Sequence, residues 1–298
     1  MRSLRAQTIV AAVCLLSGQL HTEAQSAVSE IYSVGFCDAP SEVDDATPDL
    51  EISIAEVIFS GVLQMPLTDQ DQIAASIKER TYGNSLDAAT HEALERVRAG
   101  WQGHGYFKVQ VGGDATILTR SPLSERITLN GHVDEGTQYH LGAIKFKHYQ
   151  AIGDASVLRL LFPIRDGDIF SPQQIATGLE NLQKAYGELG YINFTSVPNT
   201  KLDDEKKLAY LDIDLDEGKQ FYFSSVNVLG VNESAQQEVL KDFPIGQVYN
   251  DRLFELFLVR HRSTLKFAPD DLGHIERRLD EQAGTVAITL DARPCPAD

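Results

Sequence analysis

The side chains best placed to do chemistry are carboxylates. Asp212, Asp214 and Asp216 alternate with Leu211, Ile213 and Leu215, and Glu217 follows directly. Hard cations such as calcium take carboxylate oxygens, but alternate residues of a strand point the same way, so these oxygens form a row and not a sphere. The spacing favours a solvated strand face. His91, His104 and His261 are scattered without clustered partners, and each reads as a helix-surface or loop residue, not a metal ligand. No Gly-x-Ser-x-Gly elbow, P-loop, His-Glu-x-x-His or Cys-x-x-Cys is present. The chain therefore reads as a non-enzyme with no catalytic, cofactor-binding or metal residues. A secreted hydrolase is the enzymatic alternative, and it has no catalytic constellation to stand on.

The 298 residues allow two or three domains, and 43% hydrophobic with 23% charged residues is ordinary for folded protein. A formal charge of −17 disfavours nucleic acid or anionic lipid as a partner through bulk electrostatics. Arg2 and Arg5, an apolar run from Thr8 to Leu16 and small residues around Ala24 to Ala27 have the layout of a secretory signal over residues 1–26. The run is well short of the ~20 apolar residues a membrane-spanning helix needs, and export to an oxidising compartment is expected. Cys37 and Cys295 are then the disulfide candidates. An internal bridge requires their ends to meet within ~7 Å and so a bent molecule; an extended one implies free thiols or a covalent dimer. Residues 27–51 hold seven carboxylates and no Lys or Arg, and read as a flexible acidic leader in which only Ile31, Tyr32, Val34 and Phe36 can pack.

The elements that must position these residues recur. Ser171-Pro172 with Gln174 starts a helix. Ile175, Leu179, Leu182, Tyr186 and Leu189 line its apolar face, and Gly190 ends it ahead of an extended segment at Tyr191. A shift of 85 places Leu94 on Leu179, Val97 on Leu182, Trp101 on Tyr186 and Gly105-Tyr106 on Gly190-Tyr191. That is an internal repeat. Three copies follow at 52–136, 137–218 and 219–294. In the first, Ile54 to Leu63 is a strand, Leu67 to Arg80 and Asp87 to Gly103 are helices, and Phe107 to Leu118 and Arg126 to Val133 are strands closing on Glu135-Gly136. The second opens with a strand at Tyr139 to Tyr149 and a helix at Ala155 to Phe162, and closes on Glu217-Gly218. The third has a strand from Gln220 to Leu229, a helix at Glu233 to Lys241 and an echo of Phe162-Pro163-Ile164 at Phe243-Pro244-Ile245. Its next helix carries Phe254, Leu258 and Leu265 inward, but it lacks Gly-Tyr and the closing Glu-Gly, so its limits near Ile275 to Leu290 are loosely set.

The order helix, Gly-Tyr, strand, turn, alternating strand, Glu-Gly resembles the second half of a POTRA domain, the periplasmic module of outer-membrane assembly factors of the BamA and TamA kind. The resemblance implies an α+β fold of three tandem β-α-α-β-β units, each a three-stranded mixed sheet on two helices. It also implies a periplasmic, non-catalytic scaffold, peripherally associated with the outer membrane, whose partners are an outer-membrane β-barrel protein or unfolded outer-membrane polypeptides. In such domains a sheet edge takes up an extended peptide through main-chain hydrogen bonds. Here that edge is expected in Phe107–Val111 and Tyr191–Val197, with Phe107, Val109, Val111, Tyr191, Asn193, Thr195 and Val197 as binding residues. No run of amphipathic ~10-residue barrel strands follows, so membrane insertion itself is not implied. A structural adaptor that docks a barrel without handling unfolded clients is the alternative. Trp101 and Tyr186, at equivalent repeat positions, are expected in the core.

Overall fold

The computed structural model describes residues 50–83, 85–265 and 275–293. The expected export signal, most of the acidic leader and the pair Cys37 and Cys295 lie outside the described residues. In chain order the elements are β1 (Glu51–Ser60), α1 (Leu67–Lys78), β2 (Thr81–Tyr82), α2 (Leu86–Gly103), β3 (Gln110–Arg120), β4 (Ser124–Asp134) and β5 (His140–Lys147). There follow α3 (Ala155–Leu160), α4 (Pro172–Glu188), β6 (Thr195–Asp203), β7 (Leu208–Asp216) and β8 (Tyr222–Leu229), then α5 (Glu233–Asp242), α6 (Asp251–Leu265), β9 (Ile275–Asp280) and β10 (Thr285–Asp291).

The fold is α+β, with β-α-α-β-β repeated three times. In each repeat the last strand is central: it runs parallel to the first and antiparallel to the second last, giving orders β2-β1-β4-β3, β5-β7-β6 and β8-β10-β9. The first sheet has four strands, one more than expected. Thr81 and Tyr82 run antiparallel along β1, and Tyr82 is held there by burial and by its hydroxyl donating to the Ile77 carbonyl at 2.7 Å. The two helices cover one face of each sheet, because the strands alternate. In β7, Ala209, Leu211, Ile213 and Leu215 are buried while the intervening aspartates face outward. Three separate clusters of buried side chains result, one per unit.

Local signals account for the helix limits. Ser85 Oγ accepts from Ala88 N, Ser171 Oγ from Gln174 N at 3.4 Å with Pro172 behind it, and Asn232 Oδ1 from Ala235 N. α2 and α4 end alike. Tyr106 N donates to the Trp101 carbonyl and Gly105 N to Gln102, just as Tyr191 N donates to Tyr186 and Gly190 N to Gly187. This doubled bond requires a left-handed residue after the cap, and Gly105 (φ 85°) and Gly190 (φ 86°) supply it. The third-unit helix α6 turns Phe254, Phe257, His261 and Leu265 inward, the register of Ile175, Gly178, Leu182 and Tyr186 in α4; Leu258, expected inward, is only partly buried. His261 is therefore not the surface or loop residue that isolated spacing suggested. The helical period carries it into the core, 2% exposed, with its ring 4.7 Å from that of Phe257 and Nε2 3.4 Å from Asp242 Oδ2.

A methyl group on Gly190 meets Val248 Cγ1 at 2.6 Å and the Phe221 carbonyl oxygen at 3.0 Å, in a backbone conformation L-residues rarely adopt. Gly190→Ala is expected to cost at least ~1 kcal/mol, read as a lower urea midpoint for the unfolding phase of the last two units. An unchanged midpoint contradicts this account of the turn.

Candidate functional site

The site is built from three layers: an aromatic and carboxylate lock inside each unit, the joint between units, and the sheet edge that the joint leaves bare. The lock begins at the closing Glu-Gly. Glu135 is 3% exposed and accepts from Gln64 N at 2.6 Å, Met65 N at 3.1 Å and the indole Nε1 of Trp101 at 2.9 Å. Eighty-two residues on, Glu217 accepts from Gln150 N, Ala151 N and the hydroxyl of Tyr186 at 2.8 Å. One carboxylate thus satisfies the loop after the first strand and the polar tip of a core aromatic. Trp101 and Tyr186 are fully buried, so the expected core role holds, with a second role the repeat alone did not disclose. Burial and the Glu217 carboxylate together push the Tyr186 phenol well above its ordinary range. In the third unit Leu265 occupies this helix position and has no polar atom to donate.

The joints repeat as well. Tyr139 N donates to the Gly105 carbonyl at 2.9 Å and Gln138 Nε2 to that of His104 at 3.0 Å. Phe221 N donates to Gly190 at 2.8 Å and Gln220 Nε2 to Leu189 at 2.9 Å. The first strand of each unit is thereby pinned to the helix end of the unit before. Phe107 leaves its own unit and packs its ring on Phe170 at 5.0 Å and Tyr139 at 5.8 Å; Ile192, 85 residues on, packs into the third core. Lys108 Nζ reaches Asp204 at 2.6 Å, and the Tyr139 hydroxyl donates to the same carboxylate at 2.6 Å. At the second joint the equivalent pair is neutral-to-charged and looser, Asn193 Nδ2 to Glu281 Oε1 at 3.4 Å. Bonding to Lys108, then to Tyr139, holds the Asp204 carboxyl below the usual range, and bonding to Asp204 raises Lys108.

These joints relocate several of the expected binding residues. The edge strands begin at Gln110 and Thr195, so Phe107, Val109, Tyr191 and Asn193 precede them. Phe107 and Asn193 serve the joints, Val109 is buried in the first core, and Tyr191 packs edge-on against Tyr186 at 5.9 Å. Val111, Thr195 and Val197 do lie on edge strands, β3 and β6. Sequence reading passed over Glu135, Glu217 and Gln220 as contacts, and Gln138 altogether. The signal that finds them is the constant shift of 82 that also relates Tyr139 to Phe221.

The two edges differ. β3 is 11 residues long, has no proline, and its outer side is solvent-exposed along most of its length. β6 contains Pro198, opposite Ile213 on β7. A proline survives in an edge strand where its missing N–H faces away from the ladder, so it removes one of the outward donors an incoming strand needs. In the aspartate row on β7, Asp212 pairs with Lys201 at 2.7 Å and Lys147 at 3.8 Å, and Asp214 bonds the His148 ring at 2.6 Å. Among the described residues no group of three or more His, Cys, Asp and Glu is arranged to hold a metal ion, and no helix is long and apolar enough to cross a membrane, which says nothing of a β-barrel.

Residues 139–218 match the family model described as POTRA: Surface antigen variable number repeat. The solved structure of Haemophilus influenzae BamA POTRA3-5 is 19% identical, with 82% of this chain and 96% of that one covered at a TM-score of 0.55. POTRA1-3 of the periplasmic domain of Omp85 from Anabaena is 16% identical over 82% and 95% of the two chains at 0.33, and CdiB from Escherichia coli 13% over 72% and 36% at 0.28. The Haemophilus comparison establishes the fold, and the two at lower TM-score add nothing to it. The middle unit is a POTRA domain. The rest of the chain shares the fold: three α+β units of this POTRA-like kind follow in tandem.

Two outcomes follow from the lock and the joint. Glu135→Ala orphans two backbone N–H groups and the indole, costing roughly 2–4 kcal/mol at ~1 kcal/mol or more per donor. Trp101 is the one tryptophan in the sequence, so its emission reports the first unit, and its midpoint should fall with Glu135→Ala and stay nearly put with Glu217→Ala. The Lys108–Asp204 pair is solvent-exposed and so modest in strength and weakened by salt. Asp204, depressed, contributes above the ordinary carboxylate pKa of ~3.9 and loses that contribution as pH falls through its lower folded value. Lys108, raised, contributes below ~10.4 and loses it as pH rises through its higher folded value. Distance between labels on the first two units should therefore be constant from about pH 5 to 10 and broaden as pH falls below ~3.9 or rises above ~10.4, with Asp204→Asn removing both limbs.

Proposed function

We propose that this protein is an exported, periplasmic, non-catalytic scaffold that receives extended polypeptide segments at a sheet edge during outer-membrane protein assembly or transport. An outer-membrane barrel protein is its neighbour at the membrane. The observation that supports this most is the free edge of β3. Among the described residues the first sheet ends there, and on its opposite side β2 covers Ile52 and Ser53 of β1 alone. The N–H and C=O groups of every second β3 residue point away from β4, and an incoming strand can satisfy them.

Recognition of this kind rests on main-chain bonds of about 1 kcal/mol each, so it tolerates many sequences and stays weak enough to release. Val111 lies at the start of that edge. Thr195 and Val197 on β6 offer a shorter stretch, stopped by Pro198. The joints support the same reading. They hold the units in sequence while leaving β3 uncovered, since the contacts of the first joint are made by Gly105, Phe107 and Lys108, ahead of the strand.

Adjacent positions on β3 separate the ladder from the free edge. Ala115 and Thr116 lie opposite Leu129 and Thr128, and of the two N–H groups one bonds β4 and the other points outward. Of Ala115→Pro and Thr116→Pro, the variant with the higher unfolding midpoint is the outward one. It should bind an unfolded outer-membrane polypeptide at least fivefold more weakly than the parent chain. Undiminished binding by that variant would overturn the proposal.

A further inference from the structure

The three long helices α2, α4 and α6 occupy equivalent places, yet their solvent faces differ. In α4 the outward positions are Gln174, Thr177 and Glu180, all exposed. The shared register of buried residues puts Leu253, Leu256 and Val259 of α6 at those positions, 47%, 57% and 70% exposed. The sister helix carries polar groups there in the same fold, so the fold itself does not require these apolar side chains. An apolar stripe on the solvent side of an amphipathic helix is a surface awaiting a cover. Its polar neighbours are chiefly cationic: Arg252 and Arg260 share the face by helical spacing, Arg260 also lying 3.9 Å from Asp242 of α5, Arg262 borders it, and Glu255 is the single exposed acid on the helix beyond its first residue.

On a chain of formal charge −17, a cationic and apolar face calls for a ligand of carboxylates interspersed with apolar groups. The chain itself provides one. Residues 27–49 contain Glu30, Asp38, Glu42, Asp44, Asp45 and Asp49 without a Lys or Arg, and the apolar set Ile31, Tyr32, Val34 and Phe36. An anionic lipid surface has matching charge but must draw in a strongly negative molecule, which opposes approach. We infer that the solvent face of α6 is the docking surface for the protein's own acidic N-terminal segment, with Ile31 to Phe36 on Leu256 and Val259 and the carboxylates on the arginines. Residues 37–49 form a tether of at most roughly 45 Å, so the segment comes either from the same chain or from a neighbouring copy.

The test is a photo-crosslinking residue in place of Glu255 in the exported full chain. Digestion and mass spectrometry should find the crosslink in residues 27–49. A yield unchanged on tenfold dilution assigns the segment to the same chain, and a yield that falls assigns it to a second copy; both support docking. Leu256→Thr with Val259→Glu, the pair borne by α4, should reduce the yield at least fivefold with the unfolding midpoint retained, and 0.5 M salt should reduce it as well. Crosslinks confined to residues 266–274, to lipid or to another protein overturn the inference, as does a yield indifferent to the double variant.

Discussion

A helix that ends in a left-handed glycine has one carbonyl pointing onward with nothing in its own unit to receive. At Gly105 and Gly190 that carbonyl takes the first strand N–H of the next unit, at 2.9 and 2.8 Å. Everything beyond a single unit depends on this bond. A methyl group at either position would strike the following chain, Tyr139 oxygen at 2.7 Å in one case and Val248 in the other. Glycine is needed twice over, for the turn and for the closeness. Because helix end and next strand share one bond, the direction in which a unit points is set by where the previous helix stops.

The lock and the joint divide the work between inside and outside. Glu135 and Glu217 gather donors from loop and core and fix the shape of a unit. The joint residues, just after the glycine, fix its neighbour. Charge is spent at the first joint, where Lys108, Asp204 and Tyr139 meet, and nearly absent at the second, where Asn193 only approaches Glu281. The first joint is the one sensitive to pH and salt, and it lies two residues before the strand with the open edge.

Much of this was legible in the sequence because each signal was local and repeated. Ser171-Pro172, Gly-Tyr and the alternation in Leu208–Asp216 each dictate one element, and the shift of 85 extended them to a second unit. What escaped was whatever depends on a neighbour. Phe107 reads as a strand residue until the next unit provides Phe170 and Tyr139 to pack on. Ile164 and Ile245 occupy matching tripeptides, yet one is buried and the other 55% exposed. Pro198 limits β6 only once β6 is known to be an edge. Of the candidate binding residues Val111, Thr195 and Val197 fall on edge strands and the others a few positions ahead of them, since periodicity cannot separate a strand from the extended segment leading into it.

In each unit the strand at the middle of the sheet is the last one in the chain, and its parallel mate is the first. During synthesis the opening strand emerges with both flanks unsatisfied and stays so until roughly seventy residues later its companion appears. Native pairing over such a span is slow. The exposed early strands are the kind of surface that general chaperones hold.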